Sequence, residues 1–212
     1  MSPGAAGRFI TLEGGEGAGK STQIVRLAAW LKNHGRDVVT TREPGGAPGA
    51  EMIRKLLVEG PAERWDGPTE ALLHFAARRD HLRLTVWPAL KRGAWVLSDR
   101  FADSTRAYQG WGHGLDLDMI DRLYEVAVGA FRPDLTVILD LPAETGLARA
   151  AQRRGAETRY ESLPRDFHER VRQGFIAIAA GDPARCVVID ASKDIDGIAA
   201  AIARAVAERL GA

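Results

Sequence analysis

Gly14-Gly15-Glu16-Gly17-Ala18-Gly19-Lys20-Ser21 follows the apolar run 9–12 and matches the pattern G-x-x-x-x-G-K-[ST]. The glycines of this pattern let successive backbone N–H groups curl around phosphate oxygens. Lys20 can then reach the β- and γ-phosphates, Ser21 can hold Mg²⁺, and the following helix adds its positive end. This stretch, the phosphate loop, predicts a nucleotide-binding site. The structural alternative is a flexible Gly-rich turn between a strand and a helix.

Five apolar runs with β-branched residues predict five strands, at residues 9–12, 38–41, 95–97, 135–141 and 187–189. Their nearly continuous hydrophobicity is typical of a parallel sheet that is covered on both faces. Helical patterns occur between and after them, at residues 20–34, 69–91, 117–128, 143–154, 164–180 and 194–210. Pro88 is expected to kink or split the helix in which it lies. The alternation predicts an α/β fold, a doubly wound five-stranded parallel sheet with helices on both faces.

Length and composition indicate one domain, residues 1–212, that is large enough to bury a substantial core. The chain has 29 Lys and Arg against 28 Asp and Glu, so its net charge of +1 gives no electrostatic reason to expect a nucleic-acid or membrane partner. The start lacks the pattern of a signal peptide, and no run is apolar over the roughly 20 residues of a membrane span. We therefore expect a cytoplasmic protein. Its single cysteine, Cys186, is expected to be a small buried side chain.

Two charged pairs follow predicted strands and are expected at the same edge of the sheet. Asp99 and Arg100 come directly after the third strand, and Arg42 and Glu43 follow the second. Ligands of open α/β sheets bind beyond the carboxyl ends of the strands, so these pairs are placed near the phosphate loop. A turn cap for Asp99 and a surface ion pair for Arg100 remain equally open from the residues alone.

Two further segments carry polar groups that suit a nucleotide. Residues 107–112 place aromatic and amide groups in a Gly-rich stretch that suits a base, although a purely structural loop is as plausible. Arginines cluster at 149–159, where a solvated basic face is the usual alternative to a loop that neutralises charge during phosphoryl transfer. His81 follows Ala77 by about one helical turn and can simply face solvent.

Several segments together resemble bacterial thymidylate kinases, in the phosphate-loop superfamily of nucleoside monophosphate kinases. The resemblance covers FITLEGGEGAGKST at 9–22, TREPGG at 41–46, FAARRDH at 75–81, DRFADSTRAYQG at 99–110, RRGAETRYE at 153–161 and VVIDASKDID at 187–196. TREPGG and DR-x-x-x-S-x-x-AYQG are much more specific than the phosphate loop, which many families share. The resemblance implies transfer of the γ-phosphoryl group of ATP to dTMP, with Mg²⁺, in a homodimeric enzyme.

The resemblance also implies roles for individual residues. The ATP site would comprise Gly14, Gly15, Glu16, Gly17, Ala18, Gly19, Lys20, Ser21, Thr22, Arg149, Ala191 and Lys193. The dTMP site would comprise Glu16, Glu43, His74, Phe75, Arg78, Arg100, Ser104, Thr105, Tyr108 and Gln109. Ser21 and Asp99 would hold the metal. The catalytic set would be Lys20, Arg100, Glu16, Arg154 and Arg159, the last two in an Arg-rich lid at about 149–161 that also contains Arg153.

The chain departs from the family pattern at the base. His74 stands where the family usually has a Phe stacked on thymine, so either His74 or the neighbouring Phe75 would stack. A related nucleotide kinase and a nucleotide-binding regulatory module remain alternative functions. A GTPase is disfavoured because no N-K-x-D motif occurs. The lid arginines are expected to be catalytic because Gly17, and no arginine, stands in the phosphate loop.

Overall fold

A computed structural model describes residues 7–152 and 159–212. It contains one five-stranded sheet, in the order β2-β3-β1-β4-β5, and every neighbouring pair is parallel. The strands are β1 Phe9–Glu13, β2 Val38–Arg42, β3 Trp95–Asp99, β4 Leu135–Asp140 and β5 Cys186–Asp190. All five predicted strands are therefore confirmed, with their ends shifted by no more than two residues. The buried Cys186 also agrees with its expected place in the core.

The described helices are α1 Lys20–Asn33, α2 Pro48–Val58, α3 Gly67–His81, α4 Trp87–Lys91, α5 Ala102–Thr105, α6 Leu117–Ala127, α7 Ala143–Ala151, α8 Arg165–Gly181 and α9 Ile195–Leu210. Side chains from α1 and α9 pack on one face of the sheet, against Ile10 and Leu12 of β1. Residues of α3 and α6 pack on the other face, around Phe9. Successive residues of a strand point to opposite faces, so β1 contributes to both layers. The predicted doubly wound architecture is confirmed.

The helix predicted at 69–91 is interrupted. It forms α3, a wider π-helical turn at Leu82–Val86, and then α4, in which Pro88 occupies the first turn. Proline lacks a backbone N–H and its ring crowds the preceding turn, and widening that turn is one way to accommodate it. The expected split at Pro88 is therefore observed.

Helix α2, helix α5 and the π-helical segment that follows α5 were not predicted. Helix α2 begins at Pro48, where the neighbouring glycines resemble a turn, although proline is favoured at the start of a helix. The stretch expected as a Gly-rich loop lies in a π-helical segment, Arg106–Gly112. Its glycines serve packing, since a Cβ on Gly110 would lie 2.5 Å from the Leu117 side chain and one on Gly112 would lie 2.5 Å from Phe167. Within the described ranges, no helix is long and apolar enough to cross a membrane.

Candidate active site

The phosphate loop connects β1 to α1 at the carboxyl edge of the sheet. Gly14, Gly17 and Gly19 have φ angles of 132°, 67° and 91°, which side chains other than glycine rarely adopt. The loop also touches α7 through its backbone. A Cβ on Gly17 would lie 2.0 Å from the carbonyl oxygen of Gly146, and one on Gly146 would lie 2.3 Å from that of Glu16. Residue 17 therefore has no room for a side chain, which gives a physical reason for the missing loop arginine.

Lys20 lies at the start of α1 and folds back over the loop. Its Nζ donates to the carbonyl oxygens of Gly14 at 3.1 Å and Gly15 at 2.9 Å. Burial, with the nearby positive charge of Arg100, lowers the pKa of Lys20 to about 8. The ammonium group is thus held among backbone carbonyls, at a position where phosphate oxygens can replace them.

Ser21 and Asp99 meet although 78 positions separate them in the chain. Ser21 Oγ donates to Asp99 Oδ2 at 2.7 Å, because β3 ends next to β1 and delivers Asp99 to the loop. A hydroxyl and a carboxylate are hard oxygen ligands of the kind that Mg²⁺ takes together with phosphates and water. The two residues therefore fit a magnesium site of this type. Among the described residues, no group of three His, Cys, Asp or Glu side chains forms a self-sufficient metal site.

Arg100 is the most connected side chain of the site. Its Nη1 donates to the carbonyl oxygen of Gly14 at 2.9 Å and to Ser104 Oγ at 3.1 Å. Its Nη2 donates to Glu16 Oε1 at 3.0 Å and to the Tyr108 hydroxyl at 2.9 Å. Within the described ranges it is the only non-glycine residue with a positive φ, 71°. This left-handed backbone is strained, and it occurs where the chain turns from β3 into the site.

Glu16 is a carboxylate that the site keeps ionised. Burial alone would raise its pKa, but the charges of Arg100 and Lys20 and a hydrogen bond from Tyr108 lower the pKa of Glu16 to about 2. The Tyr108 hydroxyl donates to Glu16 Oε1 at 2.8 Å. Glu16, Arg100 and Tyr108 thus form one closed triangle of charge-assisted hydrogen bonds.

Arg78 is held by a buried network that sequence reasoning only partly found. Its Nε donates to Glu43 Oε2 at 2.8 Å, and its Nη2 donates to Thr105 Oγ1 at 3.1 Å. His81 was expected to face solvent and is instead completely buried, 2.9 Å from the other oxygen of Glu43 and 2.7 Å from Thr41 Oγ1. The sequence did not indicate the burial of His81, because both of its partners come from the carboxyl end of β2, far from His81 in the chain. Among the described residues, Arg78 Nη1 is buried without a hydrogen-bond partner.

A cavity of about 360 Å³ extends from the phosphate loop to the region where the resemblance places the base of dTMP. Its lining at that end includes His74, Gln109 and Tyr160. The structure thus brings His74 to the cavity, whereas Phe75 packs in the core against Tyr124. Burial lowers the pKa of His74 to about 4, so its ring is neutral near pH 7.

The remaining predicted ATP-site residues lie on α7, after β5 and on α1. Arg149 Nη1 donates to the carbonyl oxygen of Ala191 at 3.2 Å, so these two are adjacent. Lys193 is exposed, and Thr22 lines the cavity beside the phosphate loop. Arg153 and Arg154 lie outside the described residues.

Arg159 is buried away from the cavity lining. Its Nη1 lies 2.5 Å from Glu70 Oε2 and donates to the carbonyl oxygen of Leu57, and its Nε donates to that of Pro61. No local feature of the sequence indicates this contact, because Glu70 lies on α3. Tyr160 lines the cavity and donates to Glu70 at 2.7 Å, and the sequence singled out neither residue, although Tyr160 directly follows the predicted lid arginines.

Comparison with known proteins gives a consistent result. The family profile described as thymidylate kinase matches residues 12–202. The chain is 58% identical to the thymidylate kinase of Caulobacter vibrioides, over 97% of this chain and 98% of that protein. It is 55% identical to that of Rhodopseudomonas palustris, over 96% and 90%. A crystal structure of thymidylate kinase from Ehrlichia chaffeensis superposes with a TM-score of 0.78 at 33% identity, covering 96% of this chain and all of the other.

Proposed function

This chain belongs to the thymidylate kinase family, and we propose that it transfers the γ-phosphoryl group of ATP to dTMP with the residues at the carboxyl edge of its sheet. The observation that carries this proposal is that one cavity is lined by cationic and hydroxyl groups at one end and by His74 and Gln109 at the other. The groups at the first end are Lys20, Ser21 and Arg100. One end offers cations and backbone N–H groups for phosphates, and the other offers groups suited to a base. Such a cavity places donor and acceptor for direct transfer.

The donor end would bind ATP through the loop amides and Lys20, with Arg149, Ala191 and Lys193 bordering the adenine. Ser21 and Asp99 would hold Mg²⁺, which would neutralise phosphate charge at this end of the cavity. Lys20 would exchange its two carbonyl partners for phosphate oxygens. That exchange places a positive charge at the transferring group, where it stabilises the transition state.

The acceptor end would bind dTMP. Arg100 would clamp the phosphate, and Glu16 and Tyr108 hold the guanidinium in place for it. Arg78 Nη1 is a donor and Gln109 Oε1 is an acceptor, and among the described residues neither has a partner. This pair complements thymine, whose O4 accepts and whose N3–H donates. Ser104 and Thr105 flank it, Glu43 holds Arg78, and His74 would lie against the ring.

A coupled assay of ADP release tests this function with a panel of nucleoside monophosphates. We expect dTMP to be the preferred acceptor, ahead of dCMP, AMP and GMP. Turnover with any of these equal to or above that with dTMP would overturn the assignment. A nucleotide-binding module without catalysis would bind ATP and release no ADP with any acceptor.

The ring of Tyr108 is proposed to occupy the space that a ribose 2′-OH needs. Tyr108→Ala should therefore raise kcat/KM for the ribonucleotide relative to dTMP about tenfold. Tyr108→Phe is the matched control, because it keeps the ring and loses only the hydrogen bonds to Glu16 and Arg100. Both variants are assayed with dTMP and its ribose counterpart. An unchanged ratio in the alanine variant would place the selectivity elsewhere.

We propose a lid at about 149–161 within a single domain, in which Arg153 and Arg154 neutralise the transferring phosphoryl group. The catalytic role expected for Arg159 is not proposed again, because Glu70 and the carbonyl oxygens of Leu57 and Pro61 hold its guanidinium away from the cavity lining. The absence of space at Gly17 supports this, since the loop cannot supply that charge. Arg154→Ala should lower kcat about 100-fold and change dTMP affinity less than threefold, because lid contacts form in the closed state. Binding by calorimetry and single-turnover rates measure the two effects. Loss of dTMP binding with normal single-turnover chemistry would contradict the lid role.

A homodimer is also proposed. Exposed apolar side chains lie on neighbouring helices, with Met52 and Leu56 on α2, Leu72 on α3 and Val126 on α6. Such a patch is typical of an interface, and light scattering of the purified protein tests it.

A cytoplasmic location is proposed because the cytoplasm supplies ATP.

A further inference from the structure

Glu70 is a buried carboxylate outside the proposed phosphate-binding residues, and it accepts hydrogen bonds from side chains of several elements. Its side chain is 1% exposed. Oε1 accepts from Gln109 Nε2 at 2.6 Å and from the Tyr160 hydroxyl at 2.7 Å. Oε2 lies 2.5 Å from Arg159 Nη1. Burial alone would raise the pKa of Glu70, but the hydrogen bond from Tyr160 and the charge and hydrogen bond of Arg159 hold it below its usual value, so the group is a carboxylate.

An ionised carboxylate accepts hydrogen bonds and cannot donate them. The group of Gln109 that faces Glu70 must therefore be its NH₂, and the amide oxygen must point away. Among the described residues, that oxygen is buried and unpartnered, and Gln109 lines the cavity. Without Glu70 the two orientations of the amide would differ little in energy, because oxygen and nitrogen occupy nearly the same space.

The same argument extends to the neighbouring ring. The Tyr160 hydroxyl donates its one proton to Glu70, so it can only accept from His74 Nε2, which lies 3.0 Å away. His74 is then protonated on Nε2. Glu70 thus sets the direction of the hydrogen bonds at two cavity-lining residues, Gln109 and His74.

We propose that Glu70 is a positioning residue that selects thymine over cytosine by holding the oxygen of Gln109 toward the base. This rests on the proposed function of the cavity. Thymine presents N3–H and O4, which match the oxygen of Gln109 and Nη1 of Arg78. Cytosine presents N3 and an N4 amino group, which would oppose acceptor to acceptor and donor to donor.

Glu70→Gln tests the proposal because it keeps the size of the side chain and adds an NH₂ donor. Arg159 would hold the new amide oxygen, so the NH₂ would face Gln109 and turn the Gln109 amide around. We expect the ratio of kcat/KM for dTMP to that for dCMP to fall at least tenfold. If Glu70 had a merely structural role, the substitution would lower kcat/KM for both substrates alike and leave the ratio unchanged. That result would overturn the proposal.

The double variant Glu70→Gln with Gln109→Glu is the rescue. Its residue 109 is again an acceptor toward the base, so the ratio should return toward the wild-type value. A ratio that stays low would contradict the proposal. If wild type itself shows no preference for dTMP, the proposed function fails first, which separates the two hypotheses.

The wild-type protein supplies a second measurement that does not depend on the folding of a variant. In the dTMP complex, the side-chain NH₂ of Gln109 should show strong nuclear Overhauser effects to the ring of Tyr160 and weaker ones to the thymine imino proton. Strong effects to the imino proton together with loss of those to Tyr160 would show the opposite orientation and refute the role of Glu70.

Discussion

Lys20→Ala is expected to lower kcat by about 10²–10³-fold at saturating ATP and dTMP, because it removes the charge that we propose acts on the transferring phosphoryl group. The fold should survive. The pKa of Lys20 is lowered in the folded state, so burial of the protonated amine opposes folding. Removal of the Lys20 side chain leaves the carbonyl oxygens of Gly14 and Gly15 beside the open cavity. Steady-state kinetics and thermal denaturation measure the two effects. Turnover near that of wild type would refute the role of Lys20.

The pH dependence gives a separate check on the same residue. In the free enzyme, Lys20 loses its proton as the pH rises through about 8, so kcat/KM for ATP should fall above that pH. Bound phosphates favour the charged form, so kcat should hold to higher pH. In Lys20→Ala the fall near pH 8 should vanish. Lys20→Arg is the matched control for charge, and its planar group does not reproduce the compact ammonium held by two carbonyls.

The parts of the fold that local pattern determines were predictable. The strand β1 and the loop after it form a continuous signal of apolar residues followed by glycines, and both occur as expected. Parallel strands end at one edge of the sheet, so the meeting of Ser21 with Asp99 also follows from the strand assignments. Helix α2 was missed because Pro48 and Gly49 are ambiguous between a turn and the start of a helix.

The parts that depend on a distant partner were not predictable. His81 has the polar chemistry of a surface residue and becomes buried only because Glu43 and Thr41 offer it hydrogen bonds. Arg159 similarly belongs to an arginine-rich stretch, and its partner Glu70 lies on a helix of another region. Gly146 carries no motif, and its necessity emerges only from the approach of the loop backbone to α7. In each case the deciding interaction is tertiary, and no local periodicity encodes it.

Arg100→Ala is expected to lower kcat/KM for dTMP about 10³-fold, with KM for ATP changed less than threefold. The guanidinium contacts the phosphate loop, Glu16, Ser104 and Tyr108, so its loss removes the proposed phosphate clamp and loosens the groups around it. Arg100→Lys should recover little, because a single ammonium cannot make this fork of contacts. Initial rates over a matrix of both substrate concentrations measure the split. If the substitution mainly raised KM for ATP, Arg100 would belong to the donor side.

Arg100→Gly separates the side chain from its backbone. Residue 100 has a φ of 71°, which costs a residue with a Cβ about 1 kcal/mol relative to glycine. The glycine variant should therefore be more stable than the alanine variant by about 1 kcal/mol in urea denaturation, while both remain equally poor enzymes. The strain at residue 100 would then be a cost of aiming the guanidinium at the acceptor phosphate. Recovery of activity in the glycine variant would show instead that the backbone turn, and not the guanidinium, is what the reaction needs.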